Sequence, residues 1–550
     1  MKNKFFKSVT AIFIACAMLF SVTACKNEVP NTDQTLEIYV FEQGYGTQWC
    51  YDIAEEFKAQ DWVKATYPEL QILIKPNDNI QFAKSQLSLG EKRNTYDLLF
   101  GAGLSDYFGT PEILDLTDLV YNKTLPGENV TFISKMNDSV RKTFSYKNIA
   151  VANAKEQYYM VPFQGGQTGI LYNEELLASY DIEVPRTTDE LYNACVTIME
   201  KGKTTENGTV KQSVYPFIQS KDATYWNKHL LQVWWAQYEG LEGYNNFYSG
   251  YVIEDGDLVP SKRIFEQKGR LESLKIYEKL LYSTDDKSTN TANFMSPSSF
   301  NGLFMTQQLA FLKGAAVFHV NGDWFDDEMK EMKADYLASG GREYTIKMLR
   351  TPIVSSIIEN CTSIENDAEL SALIKAIDAG STAISGEGYS VTQEDYDRIL
   401  EARYIVDGTA GGVGGVVPSY ANGKEVAIDF LRFMATDIGL GAYAKATLGA
   451  TLDFDFNIEK NAEVFNGLSP LNKERIKYFN SSLSEIHILP GPASFPLYQY
   501  GNVVPFVDSQ YYETFSKVGN TKTPQMFYDE TIRYWDDATF ATALYNAGIQ

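Results

Sequence analysis

Between Leu36 and Phe100 the hydrophobic pattern switches repeatedly between the period of a strand and that of a helix, and this alternation leaves few folds open. Leu36-Glu37-Ile38-Tyr39-Val40-Phe41 alternates loosely and reads as a strand. From Trp49 to Lys58 the period lengthens, so that Ile53, Ala54 and Phe57 share one face of a helix. Leu70 to Lys75 reads as a second strand, Ile80 to Leu89 as a second helix and Tyr96 to Phe100 as a third strand. This β-α-β-α-β order predicts a parallel sheet covered by helices, because a parallel return needs a crossover long enough to hold one. In such sheets ligands bind beyond the carboxyl ends of the strands. Here those ends are Glu42-Gln43-Gly44-Tyr45 and Gly101-Ala102-Gly103-Leu104-Ser105-Asp106, small and polar as loops that expose backbone to a ligand should be.

A second α/β region follows. Tyr158 to Pro162 is a short strand running into Gly165-Gly166-Gln167, and Gly169 to Tyr172 is another. Thr187 to Gly202 reads as a helix, with Thr187 and Glu190 at capping-box spacing. Further strands are expected at Val214 to Ile218, Ala315 to Val320 and Tyr344 to Leu349, with helices at Tyr225 to Tyr238, Leu271 to Tyr282 and Phe300 to Leu312. Val413 to Pro418 returns as a strand before a helix at Lys424 to Thr436. Two α/β lobes joined by crossing segments, with a cleft between them, accommodate this order.

The N-terminus constrains location. Met1 to Lys7 holds three lysines, and Val9 to Phe20 is an almost unbroken apolar run, shorter than the roughly 20 residues that span a bilayer. That layout is a secretory signal. Val22-Thr23-Ala24-Cys25 resembles the lipobox of bacterial lipoprotein precursors, which makes Cys25 the lipidated first residue of the mature chain and 1–24 the signal peptide. Losing three lysines and no acid takes the formal charge from −23 to −26. Such a balance argues against nucleic acid, whose phosphates need Lys and Arg, and against electrostatic hold on an anionic membrane. Cys50, Cys195 and Cys361 are far apart and odd in number, and His229, His319 and His487 show no ligand spacing, so neither a disulfide framework nor a metal site is expected. His319, in the apolar run Ala315 to Val320, reads as a core histidine.

Four stretches carry a resemblance. Tyr96-Asp97-Leu98-Leu99-Phe100 resembles the strand before a ligand-facing loop in solute-binding proteins of carbohydrate-uptake ABC transporters. Tyr158 to Pro162, followed by Gly169-Ile170-Leu171-Tyr172-Asn173 and by Pro185, Thr187, Asp189 and Glu190, is similar to that family's passage between lobes. Phe311 to Val317 leading into Asn321-Gly322-Asp323-Trp324 resembles its strand-and-tryptophan motif, and Gly415-Val416-Val417-Pro418 with Glu425 to Met434 its return to the first lobe. The resemblance implies an α/β, two-lobe periplasmic-binding-protein-like fold, each lobe a mainly parallel sheet flanked by helices. It implies a lipidated tether at 25–35, a first lobe at 36–160 plus about 405–470, and a second lobe at about 161–350 plus 471–550. The chain departs from the family pattern in added material at about Gly243 to Lys268 and Ser355 to Thr409, which either remodels the cleft mouth or lies inert on the surface. The implied function is non-catalytic capture of a neutral sugar for an ABC permease by a monomer without cofactor, held to the outer face of the cell membrane through Cys25, on a Gram-positive surface sooner than in a periplasm.

Sugar chemistry selects candidate contacts. A sugar offers apolar C–H faces to aromatic rings and rim hydroxyls to amides and carboxylates. Trp324, after the polar turn Asn321-Gly322-Asp323, is the leading aromatic plate, its alternative being plain packing at a helix start. Trp226 and the late aromatics Tyr498 and Tyr500 are further candidates, while Trp234 and Trp235 sit mid-helix, where at least one is core. For hydroxyls the candidates are Glu42, Gln43, Asp106, Gln164, Gln167 and Asp323, all in loops at strand ends or at the crossing. Other motifs fail: Gly411-Gly412-Val413-Gly414-Gly415 precedes a strand and is no phosphate loop, and Asp453 to Asn457 lacks the glycine and glutamate of a calcium loop. Two alternatives stay open: a secreted glycoside hydrolase, which needs two carboxylates about 5–10 Å apart, and the same fold binding a peptide or a phosphorylated polyol.

Overall fold

The computed structural model of the chain describes residues 33–136, 140–141, 144–148, 153–162, 166–222, 227–282, 294–408, 413–450, 454–479, 486–487, 497 and 521–549. The first lobe opens with β1 (Thr35–Phe41), α1 (Gln48–Ala59), β2 (Gln71–Asn77), α2 (Phe82–Leu89) and β3 (Leu98–Ala102). β1 lies between β2 and β3, parallel to both, with Ile38 opposite Ile74 on one side and Leu98 on the other. All of β1 is buried, as a central strand covered on both faces should be. α1 turns Trp49, Cys50, Ile53, Ala54 and Phe57 inward, and Trp49 meets Phe100 of β3 edge-on at 5.4 Å.

The chain then reaches β4 (Val161–Pro162) and crosses into the second lobe at β5 (Gln167–Asn173). There follow α3 (Thr188–Lys201), β6 (Tyr215–Ile218), α4 (Asn227–Glu239), α5 (Lys268–Tyr277), α6 (Phe304–Leu312), β7 (Ala316–Gly322) and β8 (Ile346–Leu349). Thr187 caps α3 by accepting from the Glu190 N–H at 3.1 Å. The Glu190 carboxylate reaches back to the N–H of Arg186 at 2.6 Å, one residue before the partner a capping box would give it. The added material holds a helix at Leu241–Ser249 and a hairpin of Tyr251–Glu254 with Asp257–Pro260. Later come α7 (Asp367–Asp378) and α8 (Gln393–Tyr404), after which β9 (Ile405–Gly408) leads back.

β10 (Val413–Val416) re-enters the first sheet between β3 and β4, giving the order β2-β1-β3-β10-β4. α9 (Lys424–Met434) and α10 (Asp437–Ala446) complete that lobe, with Phe430 and Phe433 of α9 at 5.4 and 5.5 Å from the ring of Phe57. α11 (Pro470–Phe479), β11 (Ile486–His487), α12 (Pro524–Tyr534) and α13 (Asp537–Asn546) end the described chain.

The sheets are mixed where the sequence reading expects mainly parallel ones. β10 runs antiparallel to β3 and β4, and in the second sheet β5 runs antiparallel to β7, β8 and β9. The cause is topological: β5, β9 and β10 are crossing strands whose direction is set by the passage between lobes and not by a local βαβ turn. Ile405–Gly408, expected within the first lobe, accordingly hydrogen-bonds to β5 of the second sheet.

Side chains alternate across β5. Ile170 and Tyr172 join the core under α4 with Phe318, Val320, Trp234 and Trp235, while Leu171 faces Ile218, Phe311, Phe325 and Leu471 on the other side. Both mid-helix tryptophans are therefore core. His319 is also a satisfied core residue: its Nδ1 donates to the Ile218 carbonyl at 2.8 Å, Nε2 accepts from Asn321, and burial pulls its pKa down to about 4.

Candidate functional site at the lobe junction

β5 begins at the junction with Gln167 and Thr168, both buried and pointing to opposite faces. Thr168 lies opposite Gly322 of β7 and Asp407 of β9. The end of β7 delivers Asp323, fully buried, whose N–H donates to the Gln167 carbonyl at 3.1 Å. Its Oδ1 accepts from the Tyr45 hydroxyl at 2.6 Å and weakly from the Gln167 N–H at 3.4 Å. Tyr45 belongs to the loop after β1, so this bond joins the lobes.

Arg475 of α11 faces the other oxygen, Oδ2, at 3.6 Å. The guanidinium is anchored by Asn472 Oδ1 at 3.0 Å, by Gln167 Oε1 at 3.4 Å and by the Gly449 carbonyl. Asn472 in turn donates to the Leu448 carbonyl at 2.9 Å, tying α11 to the first lobe. Burial pushes the Asp323 carboxyl above its ordinary range, and Arg475 opposes that push. Burial and the neighbouring Asp323 also hold the Tyr45 phenol well above its usual value, so it stays a donor.

Trp324 sits in the same junction, 4% exposed and packed into the core of the first lobe although β7 of the second supplies it. Its ring meets Tyr45 edge-on at 5.9 Å. A Cβ on Gly44 would lie 2.8 Å from its Cδ1, and one on Gly322 would lie 2.1 Å from its Cη2. Glycine is needed on both sides of the indole for it to fit. Beyond Trp324, the turn Phe325–Glu328 is acidic. Burial raises Asp327 to about 6 and Glu328 to about 7; Glu328 accepts from Gln308 Nε2 at 2.8 Å.

On the opposite face of β5, His229 of α4 pairs through Nδ1 with Asp407 Oδ2, both groups buried. Four buried polar atoms around the strand start have no hydrogen-bond partner among the described residues: Gln167 Nε2, Thr168 Oγ1, Asp323 Oδ2 and Asp407 Oδ1. Each such atom costs about 1–3 kcal/mol. Of these, Asp323 Oδ2 faces Arg475, so one amide donor, one hydroxyl and one carboxylate oxygen lack a polar partner among the described residues.

Of the residues selected from sequence, the junction gathers Gln167, Asp323 and Trp324. Glu42 is exposed, with its N–H given to the Asn77 carbonyl, and Gln43 is half-buried in the turn closed by Gly46. Asp106 is 63% exposed and paired with Lys84 of α2 at 2.5 Å, not with the junction. Gln164, Trp226, Tyr498 and Tyr500 lie outside the described residues. Sequence reasoning missed Tyr45, Thr168, His229, Asp407 and Arg475. Asp407 left a usable signal, a carboxylate interrupting the apolar run Ile405-Val406 at a strand end, and Tyr45 stood in a loop already singled out.

Among the described residues no group of three or more His, Cys, Asp or Glu is placed to hold a metal, and no helix is long and apolar enough to cross a membrane. Cys50, Cys195 and Cys361 are free thiols.

Residues 82–248 match the family model for bacterial extracellular solute-binding proteins. A search of curated protein sequences gives no match. Among solved structures, the fold resembles a chitin oligosaccharide binding protein at 13% identity and a TM-score of 0.53, covering 92% of this chain and 99% of that one. It also resembles a structure from work on xylan utilization by the thermophilic bacterium Caldanaerobius polysaccharolyticus, at 14% identity and a TM-score of 0.53, covering 91% of this chain and all of the other. The chain has the α/β, two-lobe, periplasmic-binding-protein-like architecture of these neighbours.

Proposed function

We propose that the chain is a non-catalytic extracellular receptor that captures a neutral sugar or oligosaccharide between its lobes and passes it to the permease of an ABC importer. The observation that carries this reading is the start of β5, where Gln167 Nε2, Thr168 Oγ1 and Asp407 Oδ1 are buried without a hydrogen-bond partner among the described residues, beside Asp323 held between Tyr45 and Arg475. A sugar hydroxyl donates and accepts at once, so it can give its proton to a carboxylate oxygen while accepting from an amide. Bonds to an ionised carboxylate are about twice as strong as neutral ones. The likeness to a chitin oligosaccharide binder supports the same ligand class.

The ligand contacts of this reading are Glu42, Gln43, Asp106, Gln164, Gln167, Trp226, Asp323, Trp324, Tyr498 and Tyr500, joined by Thr168 and Asp407. The first lobe of this reading is 36–160 with about 413–470, and the two lobes close around the ligand by a hinge motion. A phosphorylated ligand fits less well, because Arg475, the cation at the junction, is already committed to Asp323, Asn472 and Gly449. Cys25, lipidated after removal of 1–24, anchors a monomer to the outer face of the cell membrane, on a Gram-positive surface.

A thermal-shift screen of the chain from Lys26 onward against neutral mono- and oligosaccharides tests this, with thin-layer analysis of the sugars afterwards. A ligand at 100 times its dissociation constant stabilises by about 2.7 kcal/mol. A shift with the sugar intact supports capture, a shift with the sugar cleaved makes the chain an enzyme, and no shift with any sugar overturns the ligand class.

A further inference from the structure

The added segment after Ser355 builds part of a cavity of about 350 Å³ in the second lobe. Its other walls are the first turn of α3 and the helical stretch from Glu272 to Leu280, and none of its lining residues belongs to the lobe junction. Asp367, in the first turn of α7, accepts from the Thr187 hydroxyl at 2.8 Å through Oδ2. Its Oδ1 is buried without a hydrogen-bond partner, and so is Oγ of Ser356. Lys275 pairs with Glu272 at 2.7 Å, and Lys279 pairs with Asp189 at 3.2 Å while lying 4.2 Å over the ring of Tyr192. Each lysine of the cavity thus has its acid, whereas Asp367 has no basic partner among the described residues.

The lining discriminates between ligand classes. An anion would meet Asp189, Glu272 and Asp367, and the start of α3 offers it nothing, since the N–H of Asp189 is given to Ser355 Oγ and that of Glu190 to Thr187 Oγ1. A cation would meet the two ammonium groups. A neutral hydroxyl satisfies both kinds of wall, donating to Asp367 Oδ1 and accepting from Ser356 or a lysine. Ile276, Leu280 and Ile358 supply apolar surface for C–H groups. The volume stands near the lower end of small-molecule sites, about 300–1,000 Å³.

We propose that this cavity is a second binding site, separate from the lobe junction, for a small neutral polyhydroxylated molecule about the size of one sugar ring. The added segment is then neither inert surface nor part of the cleft mouth; Ser356 and Asp367 are its recognition groups. The proposal does not depend on what the lobe junction binds.

Isoleucine-methyl NMR of the chain from Lys26 onward tests it, because Ile276 and Ile358 both line the cavity. Titration with glucose, galactose, mannose and glycerol is expected to shift both methyls saturably for at least one probe. Asp367→Asn and, independently, Ser356→Ala should weaken that response about tenfold, while Trp324→Ala leaves it unchanged. Failure of all four probes to move these methyls overturns the proposal, as does equal affinity in both cavity variants. A response to methylammonium or to inorganic phosphate in place of the polyols overturns the ligand class.

Discussion

In the first lobe the buried carboxylate of Asp97 has both oxygens occupied: Oδ2 accepts from the Glu37 N–H at 2.9 Å and Oδ1 from the Gly423 N–H at 2.8 Å. In the second lobe Asp323 and Asp407 are equally buried, yet each keeps one oxygen without a hydrogen-bond partner. The first arrangement ties β1, β3 and the start of α9 together and leaves nothing over. The second leaves Asp323 Oδ2 facing only the Arg475 guanidinium at 3.6 Å, and Asp407 Oδ1 without a hydrogen-bond partner among the described residues. The same residue type, at the same depth, is held by two backbone N–H groups in one lobe and by side chains, Tyr45 and Arg475 for Asp323 and His229 for Asp407, in the other.

Asp97→Ala should produce the largest effect, a loss of about 3 kcal/mol in unfolding free energy, since two charge-assisted bonds go and two N–H groups are stranded. Chemical denaturation measures it; sugar affinity of the folded fraction should be unchanged. Trp324→Ala should weaken sugar binding by about 2 kcal/mol, read by calorimetric titration, because the indole is clamped at the junction between Gly44 and Gly322. An unchanged dissociation constant would leave Trp324 as packing alone. Tyr45→Phe removes only the bond to Asp323 and should cost about 1 kcal/mol of stability. If it costs as much as Asp97→Ala, the junction is as structural as the first lobe and the contrast fails.

The smallest effect concerns pH. Glu328, raised by burial from 4.5 to about 7, binds its proton more tightly folded than unfolded. Its contribution therefore favours the fold at and below pH 4.5 relative to neutral pH, and is lost as pH rises through about 7. Glu328→Gln should flatten the stability difference between those two pH values by roughly 1 kcal/mol after allowance for solvent screening. Parallel unfolding curves of the two proteins across that window would show that Glu328 titrates normally.

The lobes also differ in how far their order could be read in advance. β1, α1, β2, α2 and β3 were legible because each element repeats its apolar period locally and short crossovers force neighbours together. α10 was not: in Asp437-Ile438-Gly439-Leu440-Gly441-Ala442 the buried positions include Gly439 and Gly441, so close backbone packing replaces an apolar stripe. α7, α11, α12 and α13 were also unassigned. At the junction, the placement of Gln167, Asp323 and Trp324 was legible because all three stand at or just beyond strand ends of an α/β sheet. Arg475 was not, because its meaning comes from Asp323, far away in the chain, and on α11 alone it reads as one more surface charge. His229 and Asp407 were hidden for the same reason, each ordinary until the fold sets them side by side.

β3 and β4 do not touch; Val413–Val416 is hydrogen-bonded between them and arrives only after the whole second-lobe sheet up to β9 has been made. During synthesis the N-terminal half therefore cannot close its own sheet, and β3 keeps an open edge until the late strand emerges. Pairing so distant in sequence is slow and exposes edges to other chains. Under the proposed export as an unfolded thread that delay is an asset, because the sheet that would block passage cannot be finished until the strand Val413–Val416 is present.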